Sequence, residues 1–533
     1  MARTHRPEIV QLSQPELERL LAELRPVLAP GTYQLIEGLL HTLQWIMGLL
    51  ERKETTLARL RRIIFGEKTE KTRNLFPEDS AAARNGAAAG CRPKTKGHGR
   101  HGADDYPGAK RVKVSHPHLQ TGDLCPKCLK AKLYLVNMPA RVVRIVAQPI
   151  FQATIYELER LRCALCGALF TAPAPPEAGE GKYDPSVGIM LAIQRYGAGQ
   201  PMYRTDKWQH HFGVPLPAST QWELIEAASE TPAIVYERLI EVAAQGSLFH
   251  NDDTRMRVLS LHKEKPLCDD QEDQRTGVFT TNLLCQTGEH QVALFFTGQK
   301  HAGENLDHVL KHRAADLPKA LQMCDGLTRN HSKLLELTLC NCLLHGRRGF
   351  VDVIDRFPQE GRKVIESLRE IYRFEAAAKE QKFSDSERLA FHQEHSKPIM
   401  DELHLWLKEQ LDQKKVEPNS ALGEAIRYML KRWDPLTRFL SVAGAPLDNN
   451  ICERALKMAI LHRKNSLSYL TLHGARVGDI FMSLIHTCEL NRINPFEYLM
   501  ALDKHAKSVR SHPTQWLPWN YQQNLQTLAD DTS

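Results

Sequence analysis

Leu447-Asp448-Asn449-Asn450-Ile451-Cys452-Glu453-Arg454-Ala455 reads as the start of a helix. Asp448, Asn449 and Asn450 are all good N-cap residues, and apolar residues follow at helical spacing: Ile451, Ala455, Met458 and Ala459. Glu453 sits in the first turn, where the helix dipole favours a negative charge. Basic residues follow it: Arg454, Lys457, His462, Arg463 and Lys464. An acid inside a basic segment suits a metal ligand beside a phosphate backbone. It also suits a capped surface helix with an ordinary first-turn glutamate, and the stretch taken alone favours that plainer reading.

The 533 residues are too many for one hydrophobic core, so three or four domains are expected. Charged residues at 25% and hydrophobic ones at 42% are ordinary for a globular protein. A net charge of +7 is mildly basic and compatible with nucleic acid. No apolar run approaches the roughly 18–20 residues of a membrane span, so no membrane partner is expected. The start, Met-Ala-Arg-Thr-His-Arg-Pro-Glu, lacks the apolar region of a signal peptide, and a cytoplasmic location is expected. Without an export signal, the twelve cysteines point to metal binding or free thiols.

Ile36, Leu39, Leu43, Ile46, Leu50, Leu57, Leu60 and Ile64 alternate in steps of three and four, with Lys53 the polar position on the stripe. This seam predicts a helical, coiled-coil N-terminus over 1–71 that joins copies of the chain; an amphipathic helix packed on its own domain is the alternative. A basic linker follows over 72–118, with seven Lys/Arg against two Asp between Arg92 and Lys113. It serves equally as a spacer or as a segment that tracks phosphates. Residues 119–175 hold two C-x-x-C pairs, Cys125/Cys128 and Cys163/Cys166, with strand-like stretches at 133–136, 142–146 and 150–156. Four thiolates at this spacing suit one structural zinc, and the pattern reads as a zinc ribbon. Residues 176–245 read as helices, with Gly213-Val214-Pro215 as a turn and Ser219 capping the next helix. The pattern fits a DNA-reading helix–turn–helix or a plain helical hairpin.

The core begins near Gly246. Residues 247–259 read as a strand carrying Asp252 and Asp253, which alternation sends to opposite faces. Strands are expected at 277–284, 292–297, 320–327 and 339–344, and a helix at 302–312. Asp325 lies at the end of the strand at 320–327, where a parallel sheet places active-site groups. A core segment over 246–354 is thus interrupted by helices at 355–443 and resumed at 444–500, with a tail over 501–533.

These residues are together similar to the transposases of the insertion-sequence sixty-six family of bacterial mobile elements. The likeness rests on the N-terminal seam, the paired cysteines and the segment 250–259. It continues through Cys324-Asp325-Gly326, Cys342-Leu343-Leu344-His345-Gly346-Arg347-Arg348-Gly349-Phe350, 420–428, 446–455, Arg463-Lys464-Asn465 and 493–499. The resemblance implies a multidomain α/β chain. A ribonuclease-H-like core with a helical insertion would follow the coiled coil, the ribbon and a helical DNA-binding region. It further implies a DDE triad at Asp252, Asp325 and Glu453. The family reads His-Ala-Asp-Glu-Thr where this chain has His250-Asn251-Asp252-Asp253-Thr254, which leaves Asp253 as a rival to Asp252.

The chemistry agrees with those residue types. Strand cleavage and transfer by an in-line attack is served by two divalent ions, and three carboxylates suit Mg²⁺ or Mn²⁺. The cap at Asp448–Asn450 would fix the first turn so that Glu453 faces the ions. His345, Arg347, Arg348, Lys457, Arg463 and Lys464 would contact DNA, although each also reads as a surface base. The expected partners are the element's terminal repeats, target DNA, a second copy of the chain and small accessory proteins. The location would be the bacterial cytoplasm, at the nucleoid. Two alternatives stay open: a non-catalytic repressor derived from a transposase, and a nuclease that cleaves without joining.

Overall fold

A computed structural model describes residues 169–263 and 277–530 without a break. Before residue 169 it describes 31–40, 111–113, 117–128, 130–135 and 150–162, with a few isolated positions. The chain divides into two compact units, Met1–Gly90 and Cys91–Ser533. In the first, residues 31–40 are helical and Tyr33 donates to Glu37 one turn on, at 3.3 Å. Ile36 and Leu39 of the seam lie on this helix. Its other positions, 43–64, and most of the basic linker lie outside the described residues, as do Cys163 and the stretch 142–146.

In the second unit, each C-x-x-C pair lies between two antiparallel backbone segments. A bridge between Leu124 and Lys132 closes around Cys125 and Cys128. Strands β1 (Arg160–Arg162) and β2 (Leu169–Thr171) pair antiparallel around 163–166. The strands expected at 133–136 and 150–156 do not form among the described residues. Alternation there has no partner strand; of their described residues Phe151 alone is buried against the core, and Ile155 is 86% exposed.

Four helices follow: α1 (Pro185–Ala192), α2 (Met202–His211), α3 (Ala218–Ala228) and α4 (Glu230–Ala244). Asp184 caps α1 by accepting from the Ser186 amide at 2.9 Å. The expected cap Ser219 lies inside α3 instead, because Pro217 already sets the extended backbone that begins the helix. Buried Gln221 ties the turn shut, donating to the carbonyls of Leu216 at 2.7 Å and Met202 at 3.1 Å.

The sheet comprises β3 (Leu248–Arg255), β4 (Phe279–Thr287), β5 (His290–Gly298), β6 (Leu321–Cys324) and β7 (Thr338–Asn341). Among the described residues its order is β5-β4-β3-β6-β7. β4 runs antiparallel to both β3 and β5, while β6 is parallel to β3 and β7 to β6. Helix α5 (Ala302–Leu310) links β5 to β6. The strand expected to reach residue 344 stops at Asn341, and helix α6 (Leu343–Val353) starts two residues later. An unbroken apolar run does not mark where its period changes.

Helices α7 (Pro358–Glu380), α8 (Asp385–His395), α9 (Lys397–Asp412) and α10 (Ala421–Lys431) fill the interval before α11 (Asn450–Ser466). A buried ion cluster holds α7 to α8. Glu375 accepts from Arg388 at 2.8 Å and from His392 at 2.9 Å. Burial pushes the Glu375 carboxyl up, but hydrogen bonds from His392 and Arg388 outweigh it and bring it down to about 2. Its stabilising effect is present above the ordinary glutamate range and is lost as pH falls toward 2. Glu375→Ala should therefore lose about 3 kcal/mol at pH 7, by leaving the Arg388 guanidinium and the buried His392 ring without their shared partner. The loss, read by urea unfolding, should shrink at pH 3.

Helix α12 (Leu472–Leu490) runs along β5. Its side chains Asp479, Ser483 and Thr487, with Asn491 just beyond, accept from the amides of Thr297, Phe295, Ala293 and Gln291. The distances run from 2.6 to 3.3 Å. The match is geometric: four helical residues rise about 6 Å, close to the rise of two strand residues. Among the described residues no helix is long and apolar enough to cross a membrane.

Candidate active site

Strand β3 sorts its polar residues by alternation. Asn251 and Asp253 face α5, while His250 and Asp252 face α11. The Asp253 side chain is only 3% exposed and is paired with His301 at 3.2 Å and Arg329 at 3.4 Å. Asp252 stands on the opposite face, and its Oδ1 accepts from the Asp253 amide at 2.8 Å. Burial pushes the Asp252 carboxyl up to about 7, and the charges of Asp325, Asp253 and Glu453 add to the rise.

Asp325 is the first residue past β6. Its Oδ1 accepts from Asn330 Nδ2 at 2.6 Å and from the Leu327 amide at 3.1 Å. Glu453 lies in the first turn of α11, partly open to solvent, with Oε1 at 4.0 Å from His345 Nδ1. Two strands and a helix distant in sequence thus bring three acids into one electrostatic neighbourhood.

A buried amide relay holds them there. Asn449 Nδ2 donates to the Asn251 carbonyl at 3.2 Å. That leaves Asn449 Oδ1 as the acceptor facing His250 Nδ1 at 2.9 Å. Asn251 donates to the Asn330 carbonyl at 2.7 Å, and Gln322 donates to Asn251 Oδ1 at 3.0 Å and to the same Asn330 carbonyl at 2.7 Å. Asn330 then reaches Asp325. The expected cap is corrected here. Asn449 makes no side-chain bond to its own helix, and Asp448 Oδ1 accepts from the Asn450 amide at 3.0 Å instead. Asn449 is spent on fastening the helix start to β3.

The basic residues divide by burial. Arg348, Lys457 and Lys464 are exposed, and Arg463 is half-buried, donating to Thr254 Oγ1 at 3.0 Å and to the Arg255 carbonyl. Arg347 is buried, at 8% exposure, and its charge reaches Tyr372. The residues that sequence reasoning missed are Asn251, Gln322, Asn330 and Cys342. Asn251 and Gln322 did leave a signal, as amides inside otherwise apolar strands.

The sequence pattern of the Transposase IS66 family matches residues 180–477. The chain belongs to the IS66 family of transposases. The matched span contains all five strands of the sheet, the helices between α6 and α11, and the three acids. Among similar curated proteins are three uncharacterized proteins of Sinorhizobium fredii (strain NBRC 101917 / NGR234). Protein y4hP is 26% identical over 389 residues, covering 68% of this chain and 67% of its own length. Protein y4jD is 27% identical over 388 residues, covering 68% and 71%. Protein y4qI is 27% identical over 349 residues, covering 62% and 61%. Membership in the IS66 transposases points to transposase-type activity, to DNA as the partner and to a divalent metal as cofactor.

Proposed function

We propose that this IS66 transposase binds the terminal repeats of its element, cleaves a DNA strand at the element's end and joins the freed 3′-hydroxyl to target DNA. Asp252, Asp325 and Glu453 would hold two divalent ions, Mg²⁺ or Mn²⁺. The observation that carries this reading is the Asp252 carboxyl, raised by burial and by two acids from other elements. Such a cluster needs a countercharge, and an all-oxygen donor set fits hard cations. When bound, the ions would activate the attacking oxygen and neutralise phosphate charge.

The chain's own residues supply the frame. An acid on the central strand, one past β6 and one on the returning helix α11 support a ribonuclease-H-like core, as does the sheet order. The relay through Asn449, Asn251, Gln322 and Asn330 would orient the acids before any ion arrives. Arg348, Lys457, Arg463 and Lys464 would meet phosphates beside them. Cys125, Cys128, Cys163 and Cys166 would hold one structural zinc. The antiparallel pairings that flank both motifs support this, as do the amides of Lys130 and Ala131, which hold the Cys128 thiol below its ordinary range. The N-terminal helix would join copies of the chain.

The test is an oligonucleotide carrying an element end, incubated with the full chain and Mg²⁺. Cleaved and joined products are expected from the wild type. Glu453→Gln should give neither product yet still shift the oligonucleotide on a gel. A Glu453→Gln protein that cleaves at the wild-type rate would sink the assignment. Cleavage without joined products would reduce the function to a nuclease.

A further inference from the structure

We propose that Cys342, His345 and Glu453 form a further metal site, one for a zinc-class ion, that competes with the catalytic ions for Glu453. The competition rests on the transposase reading of Glu453; the site itself does not. One ligand atom from each of the three residues lies within 4.8 Å of the other two. Cys342 is the residue before α6, His345 lies in its first turn, and Glu453 comes from the first turn of α11.

Two further observations point to a ligand. The His345 Nδ1 atom is buried with no hydrogen-bond partner, although its ring faces Glu453. A buried imidazole nitrogen left unpaired is costly, and a metal is among the few groups that would satisfy it there. Cys342 Sγ in turn accepts from the Asn449 amide at 3.4 Å, the kind of outer support that orients a thiolate ligand.

The donor chemistry selects the ion. A thiol, an imidazole and a carboxylate with one position left open suit tetrahedral zinc, whose donor atoms stand about 3.3–3.8 Å apart. Side-chain movement of about an ångström closes the present spacing to that geometry. Magnesium disfavours sulfur and nitrogen ligands, so it does not compete for the whole set. Binding drives the Cys342 proton to solvent. Glu453 then turns toward the soft site, and the cluster with Asp252 and Asp325 is left one acid short. Zinc-class ions would therefore switch off magnesium-supported cleavage at this site.

The test uses the full chain with one equivalent of zinc already on its ribbon, titrated with Co²⁺. The wild type should take up one more equivalent than Cys342→Ser and show a thiolate-to-cobalt absorption that Cys342→Ser lacks. Serine keeps an acceptor for the Asn449 amide, and His345→Gln serves as a second variant. It should weaken that uptake about tenfold or more. In Mg²⁺-supported cleavage, with each protein scaled to its own zinc-free rate, Cys342→Ser should need at least about tenfold more Zn²⁺ for half inhibition. Equal cobalt uptake and spectra in the wild type and both variants would overturn the site. Cobalt uptake without zinc inhibition would overturn the competition for Glu453. If Glu453→Gln still cleaves while the wild type shows the extra cobalt site, the metal site stands and the transposase reading of Glu453 fails.

Discussion

Replacing Asp252 by asparagine is expected to lower Mg²⁺-dependent cleavage by at least about 10³-fold, the scale set by losing one preorganised charge-stabilising group. The same change should raise the melting temperature of the metal-free protein. The Asp252 carboxyl is raised from the ordinary carboxylate range to about 7, first by burial and then by its acidic neighbours. The folded state therefore keeps this proton between about pH 4 and pH 7, where the unfolded chain releases it. Stability falls as pH rises through that window, and the full penalty above it is about 4 kcal/mol.

Asparagine carries no charge at any pH, so the gain should be largest near pH 8 and absent near pH 4. Buried Asp479, also raised to about 7 by burial, adds the same slope to both proteins, so the difference isolates Asp252. Adding Mg²⁺ should raise the melting temperature of the wild type and barely move the variant. Scanning fluorimetry across pH measures all of this. A variant less stable than the wild type in metal-free buffer at pH 8 would make Asp252 a structural acid rather than a waiting ligand.

Asn449→Ala should be the most damaging change that touches none of the acids. It removes the bonds to His250 and to the Asn251 carbonyl, and leaves both partners buried and unpaired. Each orphaned group costs about 1–3 kcal/mol, so a loss of about 3 kcal/mol is expected in urea unfolding. Burial brings His250 down to about 4, so at neutral pH its ring is uncharged and donates to Asn449. With the clamp gone, the start of α11 is free to shift and carry Glu453 with it. The Mg²⁺ concentration for half-maximal cleavage should rise, while binding to the element's end is unchanged. If cleavage falls with no change in that Mg²⁺ requirement, Asn449 acts on stability alone.

The strands of the core were readable because apolar alternation, turn glycines and strand-ending acids repeat across 247–327. Asp252 was legible as an acid within a strand, Asp325 as one at a strand end and Glu453 as one in a first helical turn, but their convergence was not. Each is set by a partner 73 to 201 residues away, and periodicity reports only neighbours. Asn449 shows the limit well. Its position before a helix made it a cap by local rules, and only the folded chain shows it turned toward β3. The cysteine at 342 was hidden for the same reason, since its partners His345 and Glu453 meet it across a strand-to-helix change that an apolar run conceals. The strand expected at 150–156 failed in the opposite way, because alternation was present and a partner was not.

The row of Asp479, Ser483, Thr487 and Asn491 beside β5 has a consequence for assembly. An outermost strand is a template on which another chain can build, and uncovered ones invite aggregation. Here four side chains, one per helical turn, occupy the outward amides at Gln291, Ala293, Phe295 and Thr297. The sheet is sealed on that side from within the same chain. Copies of this protein cannot join by extending β5.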